Sequence, residues 1–225
     1  MNKHLYNILN NLIDLAITAV IVIALAIGCF SIYVDHKKTE QLKIGYSGYT
    51  MEDLGAVAWL SVKHTDIDFP VMQGSDNTEY LNKNPLGQMD MSGSIFLDSH
   101  SNKQLKDPYS IIYGHHIDGG LMFGTLDAFK SPDYLRKHQN GEIEINGGPT
   151  YQLHLFACET INSDVSVVFD CGASKDTKAI RAYIDAHDED HISYDQGLRI
   201  VALSTCVNAT SENRVVVFGT IKEGS

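Results

Sequence analysis

Residues 15–34 read LAITAVIVIALAIGCFSIYV, 20 positions without a charged side chain. At ~1.5 Å per helical residue this run spans roughly 30 Å, the thickness of a bilayer's hydrocarbon core. Three fates compete for such a run: a retained anchor, a cleaved signal peptide, or a lipoprotein signal acylated at Cys29. A signal peptide's apolar region usually stops after about 7–15 residues at a small-residue cleavage site. Here the apolar character continues past Cys29 through FSIYV, which favours an anchor over residues 1–34 with Cys29 as a small lipid-facing side chain. Lys3 precedes the run and Lys37 and Lys38 follow it, so flanking charge does not orient it and leans against an external position for the rest of the chain.

After the apolar run, residues 35–50 (DHKKTEQLKIGYSGYT) are polar, contain two glycines and read as a stalk, with the linker ending near residue 55. The remaining 56–225 make one domain of ordinary size. The whole chain has 44% hydrophobic residues, which excludes a disordered polymer, and 17 Lys+Arg against 28 Asp+Glu, a net charge of -11 that repels phosphate backbones and excludes nucleic acid as a partner. Segments rich in Val, Ile, Tyr and Phe recur at 57–62, 69–73, 94–97, 110–113, 142–145, 151–157, 198–203 and 214–221, separated by turn residues such as Asn140-Gly141 and Asn146-Gly147-Gly148. Eight short strands predict a mostly β fold, either a barrel or a sandwich. Between the sixth and seventh, residues 174–187 carry Ile180, Tyr183, Ile184 and His187 at helical spacing, with Ser174 as N-cap and Asp176 in the first turn. A second, short helix is predicted around 77–82.

Chemistry concentrates in RIVALSTCVNATSENRVVVFG, residues 199–219. It puts Cys206 at the end of one strand and Arg214 at the start of the next, so both belong to one end of the sheet. Strand alternation sets Ala202, Ser204 and Cys206 on one face. A thiol attacks as its thiolate and needs a cationic or hydrogen-bonding neighbour; Arg214 offers permanent charge and donors for an oxyanion but cannot shuttle protons. A histidine must supply that step. The best placed of ten is in SIIYGHHIDGG, where His115 and His116 follow a strand and Gly114 permits close backbone approach. His115 is preferred over His116.

Each of these residues also has a plainer reading, as a buried thiol or a surface charge. Cys158 and Cys171 sit among apolar residues and read as buried free thiols. Adjacent histidines point apart and no third ligand stands at metal spacing, no twelve-residue EF-hand loop is present, and the acidic clusters 66–68 and 188–190 read as solvated loops. No metal or other cofactor is expected. Asn208-Ala209-Thr210 matches a glycosylation sequon, but a glycan beside Cys206 would obstruct a site there.

The LSTC segment with Arg214 eight residues on in a Val-rich strand, YGHH after an apolar strand, and the N-terminal anchor together resemble the sortase family, class B most of all. AWLSVKHTDIDFPVMQGSDNTEYL (58–81), GSIFLD (93–98) and the inserted helix add to a resemblance that runs from about residue 56 to the C-terminus. It implies a closed eight-stranded β-barrel with a helix between strands six and seven. By motif position it implies His115, Cys206 and Arg214 as catalytic residues and Ser204 as a substrate contact. The sequence departs from some class B members at Val207, where they carry an acidic residue, and in a shorter loop to Arg214.

The activity implied is that of a membrane-anchored cysteine transpeptidase of the peptidase class. Such an enzyme cleaves the C-terminal sorting-signal peptide of a secreted surface protein through a thioester and transfers it to a peptidoglycan peptide amine. The implied location is the cell membrane of a Gram-positive surface, single-pass, with the catalytic domain outside. From the residues alone two alternatives stay open: a cysteine peptidase that only hydrolyses, and a non-catalytic anchored β-domain that binds wall or partner proteins.

Overall fold

The computed structural model describes residues 3–46, 48–171, 177–187, 192–205 and 212–224. The chain divides into two compact units, Met1–Ile44 and Gly45–Ser225. The first is a single helix, α1 (Lys3–Ile44), whose apolar span Asn11–Tyr33 is long enough to cross a bilayer and leaves Leu15, Ile23 and Phe30 exposed along its sides. The helix does not end with the apolar run. It continues through the first ten residues of the stretch read as a stalk, because DHKKTEQLKI holds neither Gly nor Pro, and Gly45 at φ 64° follows as the first residue free to leave the helix.

The second unit opens with α2 (Met51–Leu54), one turn inside the segment expected as linker. Its signal is a capping box: Asp53 N–H donates to Thr50 Oγ1 (3.1 Å) while Thr50 N–H donates back to the Asp53 carboxylate (3.0 Å), and Gly55 closes the turn at φ 67°.

Eight strands close the barrel: β1 (Ala58–Val62), β2 (Asp68–Met72), β3 (Ile95–Leu97), β4 (Tyr109–Gly114), β7 (Asn140–Ile145), β8 (Thr150–Asn162), β9 (Arg199–Thr205) and β10 (Asn213–Glu223). A two-stranded hairpin, β5 (His116–Ile117) with β6 (Leu121–Met122), lies outside it. The order around the barrel is β1-β2-β3-β4-β9-β10-β8-β7. The pairs β2–β3 and β4–β9 are parallel and the rest antiparallel. All eight expected strands are present, and closure decides between the two architectures the residues left open. A parallel pair requires a long crossover, and the crossover from β4 to β9 carries most of the remaining elements: the hairpin, a 3-10 segment at Phe123–Lys130, α3 (Pro132–Lys137), β7, β8, α4 (Ser166–Phe169) and α5 (Thr177–His187).

Burial follows position in the barrel. In β7, Gly141, Ile143 and Ile145 are buried while Asn140, Glu142 and Glu144 are exposed, the period of a strand with one wet face. Strand β4 is buried at all six positions, so both of its faces are covered. One row, Tyr109, Ile111 and Tyr113, packs with Ile200, Ala202, Val216 and Phe218 against Val168 of α4 and Ile180 and Ile184 of α5. Helix α5 lies within the expected segment; Ile180 and Ile184 are its deepest residues at 0% exposure, each contributing about 1.5–3 kcal/mol by burial. The expected N-cap Ser174 lies outside the described residues, as do 188–190 of the second acidic cluster. The expected short helix at 77–82 is a single 3-10 turn, Glu79–Leu81.

Candidate functional site

Three strand ends define the site: the end of β4, the end of β9 and the start of β10. In the parallel register Tyr113 stands beside Ser204 and Gly114 beside Thr205. Across β10, Ser204 faces Val216, and the Val215 N–H donates to Thr205 Oγ1 (3.0 Å), tying the ends of β9 and β10 together. Cys206 itself lies outside the described residues. Thr205, its chain neighbour, stands beside Gly114, the residue before His115.

The need for glycine at 114 lies in what a side chain there would meet. A Cβ would lie 2.3 Å from Ile95 Cδ1 and 2.8 Å from Phe123 Cγ, so only glycine lets β4 end against these neighbours. His115 follows, half-buried, its carbonyl accepting the Phe123 N–H (3.0 Å). Its Nε2 lies 2.6 Å from the Leu81 carbonyl oxygen. A carbonyl only accepts, so Nε2 carries the proton, and in the neutral ring Nδ1 keeps the lone pair. The ring is thus fixed with one nitrogen anchored and the other able to take or give a proton. Gly93 makes this approach possible: at φ 60°, a Cβ there would sit 2.6 Å from both the Tyr80 and Leu81 carbonyl oxygens and 3.0 Å from His115 Cδ2.

His116 is engaged elsewhere. Its Nε2 lies 2.6 Å from Asp127 Oδ2, while Lys130 Nζ lies 2.6 Å from the other carboxylate oxygen. Burial pushes the Asp127 carboxyl up, but the hydrogen bonds from Lys130 and His116 outweigh it and leave the group below the ordinary carboxylate range. The two adjacent histidines therefore have separate partners on separate segments, as side chains of successive residues must.

Arg214 is the second residue of β10 and lies on the same side of that strand as Val216 and Phe218. Its guanidinium carbon sits 4.8 Å from the ring centre of Phe169 and 5.6 Å from that of Tyr113. The Nε atom is buried and has no hydrogen-bond partner among the described residues. Ser204 is also on this face but fully buried at 0% exposure, with its hydroxyl donating to the Thr205 carbonyl (3.1 Å). It supports the end of β9 from beneath.

Cys158 and Cys171 are half-buried and form no disulfide. Burial pushes the Cys171 thiol up to about 12, and its sulfur lies 3.4 Å from Ser101 Oγ, so it is held protonated and unreactive. Among the described residues no group of three or more His, Cys, Asp or Glu side chains could hold a metal ion. Of the acidic residues at 66–68, Asp68 accepts a hydrogen bond from Trp59 Nε1 (2.6 Å). Sequence reasoning missed Leu81, Gly93, Phe169 and Tyr113 as parts of the site. Only Gly93 had a signal, a lone glycine between polar residues; the others act through a main-chain oxygen or a ring face, which no local pattern encodes.

The barrel, its inserted helices and the three converging strand ends define a class of fold shared with class B sortases. A class B sortase of Streptococcus pyogenes involved in pilus biogenesis superposes with a TM-score of 0.70 at 36% identity, over 78% of this chain and 99% of that one. Staphylococcus aureus sortase B superposes with a TM-score of 0.66 at 26% identity, over 77% of this chain and 83% of that one. The family model of the sortase domain matches residues 60–222, and the chain belongs to the sortase family. In sequence it is 31% identical to Staphylococcus aureus sortase B over 173 residues, 73% of this chain and 69% of that protein. It is 34% identical to sortase B of Listeria monocytogenes over 108 residues, 48% of this chain, and that match spans 44% of the Listeria protein. Among the solved relatives are a Staphylococcus aureus sortase B–substrate complex and a sortase B complexed with triglycine.

Proposed function

We propose that the chain is a membrane-anchored cysteine transpeptidase in which Cys206, His115 and Arg214 carry the reaction. The Cys206 thiol gives its proton to His115, and the thiolate attacks a backbone carbonyl within the C-terminal sorting signal of a secreted protein, forming a tetrahedral oxyanion. Collapse breaks the peptide bond, leaves the acyl group as a thioester on Cys206 and releases the amine, which takes a proton from His115. A peptidoglycan peptide amine then gives a proton back to His115 as it attacks the thioester and frees the Cys206 thiolate. Arg214, whose charge cannot be lost, stabilises the oxyanion in both halves. In this account residues 1–34 are the anchor, 35–55 the stalk and 56–225 the catalytic domain outside a Gram-positive membrane, and Ser204, fully buried, backs the strand end that borders the bound signal.

The observation that carries this reading is the Gly114–Thr205 register. It brings the residue before His115 beside the residue before Cys206, while the Val215–Thr205 hydrogen bond draws the start of β10, with Arg214, to the same place. The hydrogen bond that leaves His115 Nδ1 free for proton transfer adds to it.

The test incubates the detergent-solubilised full chain with LPxTG-like and NPxTx-like peptides, with and without triglycine, and separates the products. Ligation of the acyl fragment to triglycine is expected. Hydrolysed fragment alone, whatever amine is present, would replace this reading with a plain cysteine peptidase, and intact peptides throughout would favour a binding domain.

A further inference from the structure

Arg214 is held in an unusual way for a partly buried cation. Among the described residues no carboxylate pairs with it, and its Nε–H is buried without an acceptor. A buried donor without a partner is costly, and a guanidinium on a flexible stem loses considerable rotamer freedom when fixed. Something must compensate. The two groups against it are aromatic: Phe169 with its ring centre 4.8 Å from the guanidinium carbon and Tyr113 at 5.6 Å, both inside the range where a ring quadrupole attracts a cation.

The two rings come from different elements, and each is itself fixed. Tyr113 belongs to β4, buried along its whole length, and packs on Phe96 with centroids 5.5 Å apart. Phe169 is the last residue of α4, and the residue before it, Val168, is fully buried with its carbonyl accepting the Tyr109 hydroxyl (2.8 Å). Burial raises Tyr109 well above an ordinary phenol, so that hydroxyl remains a donor throughout the working pH range. The end of α4 is therefore pinned to β4, and Phe169 is held over Arg214.

We propose that Phe169 is a positioning residue for Arg214, and that the short helix α4 serves to carry it. The chemistry explains why a ring occupies this place. A carboxylate there would neutralise the guanidinium and engage its N–H groups, leaving less charge and fewer donors for an oxyanion. A ring face attracts the cation while engaging none of its donors. The assignment rests on the proposed role of Arg214 in oxyanion stabilisation, and it predicts that Phe169 influences acyl transfer without touching the substrate.

Two measurements on the full chain in detergent test it. The first is the rate of acyl-enzyme formation in Phe169→Leu and Phe169→Tyr. Leucine keeps most of the bulk and removes the ring; the expected result is a ~3- to 10-fold loss in kcat with KM little changed, and recovery to near the wild-type rate with tyrosine. Equal rates in the wild type and Phe169→Leu, or a tyrosine variant as slow as leucine, would overturn the proposal. The second is the side-chain NMR spectrum of arginine-labelled protein, which needs no activity. The Arg214 Nε–H and Cδ–H resonances are expected upfield in the wild type, shifted by the two ring currents, and nearer the ordinary position in Phe169→Leu. Unshifted wild-type resonances would overturn the proposal even if Phe169→Leu fails to fold. If shifted Arg214 resonances accompany a wild-type chain that acylates with no peptide, the clamp stands and the functional reading falls.

Discussion

The two flanks of the site are built on different principles. On the β4 flank, His115 is held by a directional hydrogen bond to the Leu81 carbonyl, made possible by glycines at 93 and 114 whose absent side chains let main chain and ring come together. On the β10 flank, Arg214 is held by two ring faces that attract its charge without fixing any one N–H. The difference matches the work proposed for each residue. A proton shuttle needs one tautomer and one ring orientation, which a short hydrogen bond enforces. An oxyanion stabiliser needs donors left free, which a hydrogen-bonding partner would use up and an aromatic face does not. The β4 flank should therefore tolerate substitution poorly and the β10 flank more gradually.

The largest expected effect removes the proposed nucleophile. Cys206→Ala should eliminate acyl-enzyme formation, by at least ~1000-fold, while the melting temperature stays within a few degrees of the wild type. Next comes the rigid flank. Gly93→Ala must push the Tyr80–Leu81 main chain or the His115 ring out of a 2.6–3.0 Å contact, and it also adopts a positive φ that alanine disfavours. A loss of about 1–2 kcal/mol in stability and roughly tenfold or more in kcat is expected, read by thermal unfolding and peptide cleavage. If Gly93→Ala costs less than Phe169→Leu, the ranking of the two flanks is reversed. Combining the two changes sharpens the comparison: separate devices predict free-energy effects on acylation that add within about 0.5 kcal/mol.

The smallest effect is expected beside the site. Asp127→Asn removes the partner of His116 and Lys130 at a partly exposed position, and acylation should fall by less than about threefold. Because the folded-state pKa of Asp127 is depressed, its stabilisation is present above the ordinary carboxylate pKa and is lost as the pH falls through the lowered value. The wild type and variant should thus differ in melting temperature at pH 7 and converge in strong acid.

Much of this was legible in the sequence because it is written locally. The β-branched and aromatic runs marked all eight barrel strands, and the spacing of Ile180 and Ile184 marked the face that α5 buries. Cys206 and Arg214 could be paired as one candidate because a short loop joins their strands. Closure was not legible in any local pattern, since it depends on the parallel β2–β3 and β4–β9 pairings, which join segments far apart in the chain; it was expected through the family resemblance alone, and the barrel is closed. The 3-10 segment Phe123–Lys130 went unseen because FGTLDAFK follows neither the helical nor the strand period. The continuation of α1 was masked by the polarity of residues 35–44, which speaks to solvent exposure and not to backbone conformation. Phe169 was invisible for a similar reason: its proposed value lies in a ring face turned toward an arginine on another element.

On the proposed mechanism the converging strand ends serve a single nucleophile. Intact-mass analysis of the full chain mixed with a cleavable sorting-signal peptide, followed by peptide mapping, tests it most directly. One acyl adduct is expected, mapped to Cys206 and discharged on adding triglycine. An adduct on Cys158 or Cys171, or undiminished peptide cleavage by Cys206→Ala, would contradict it.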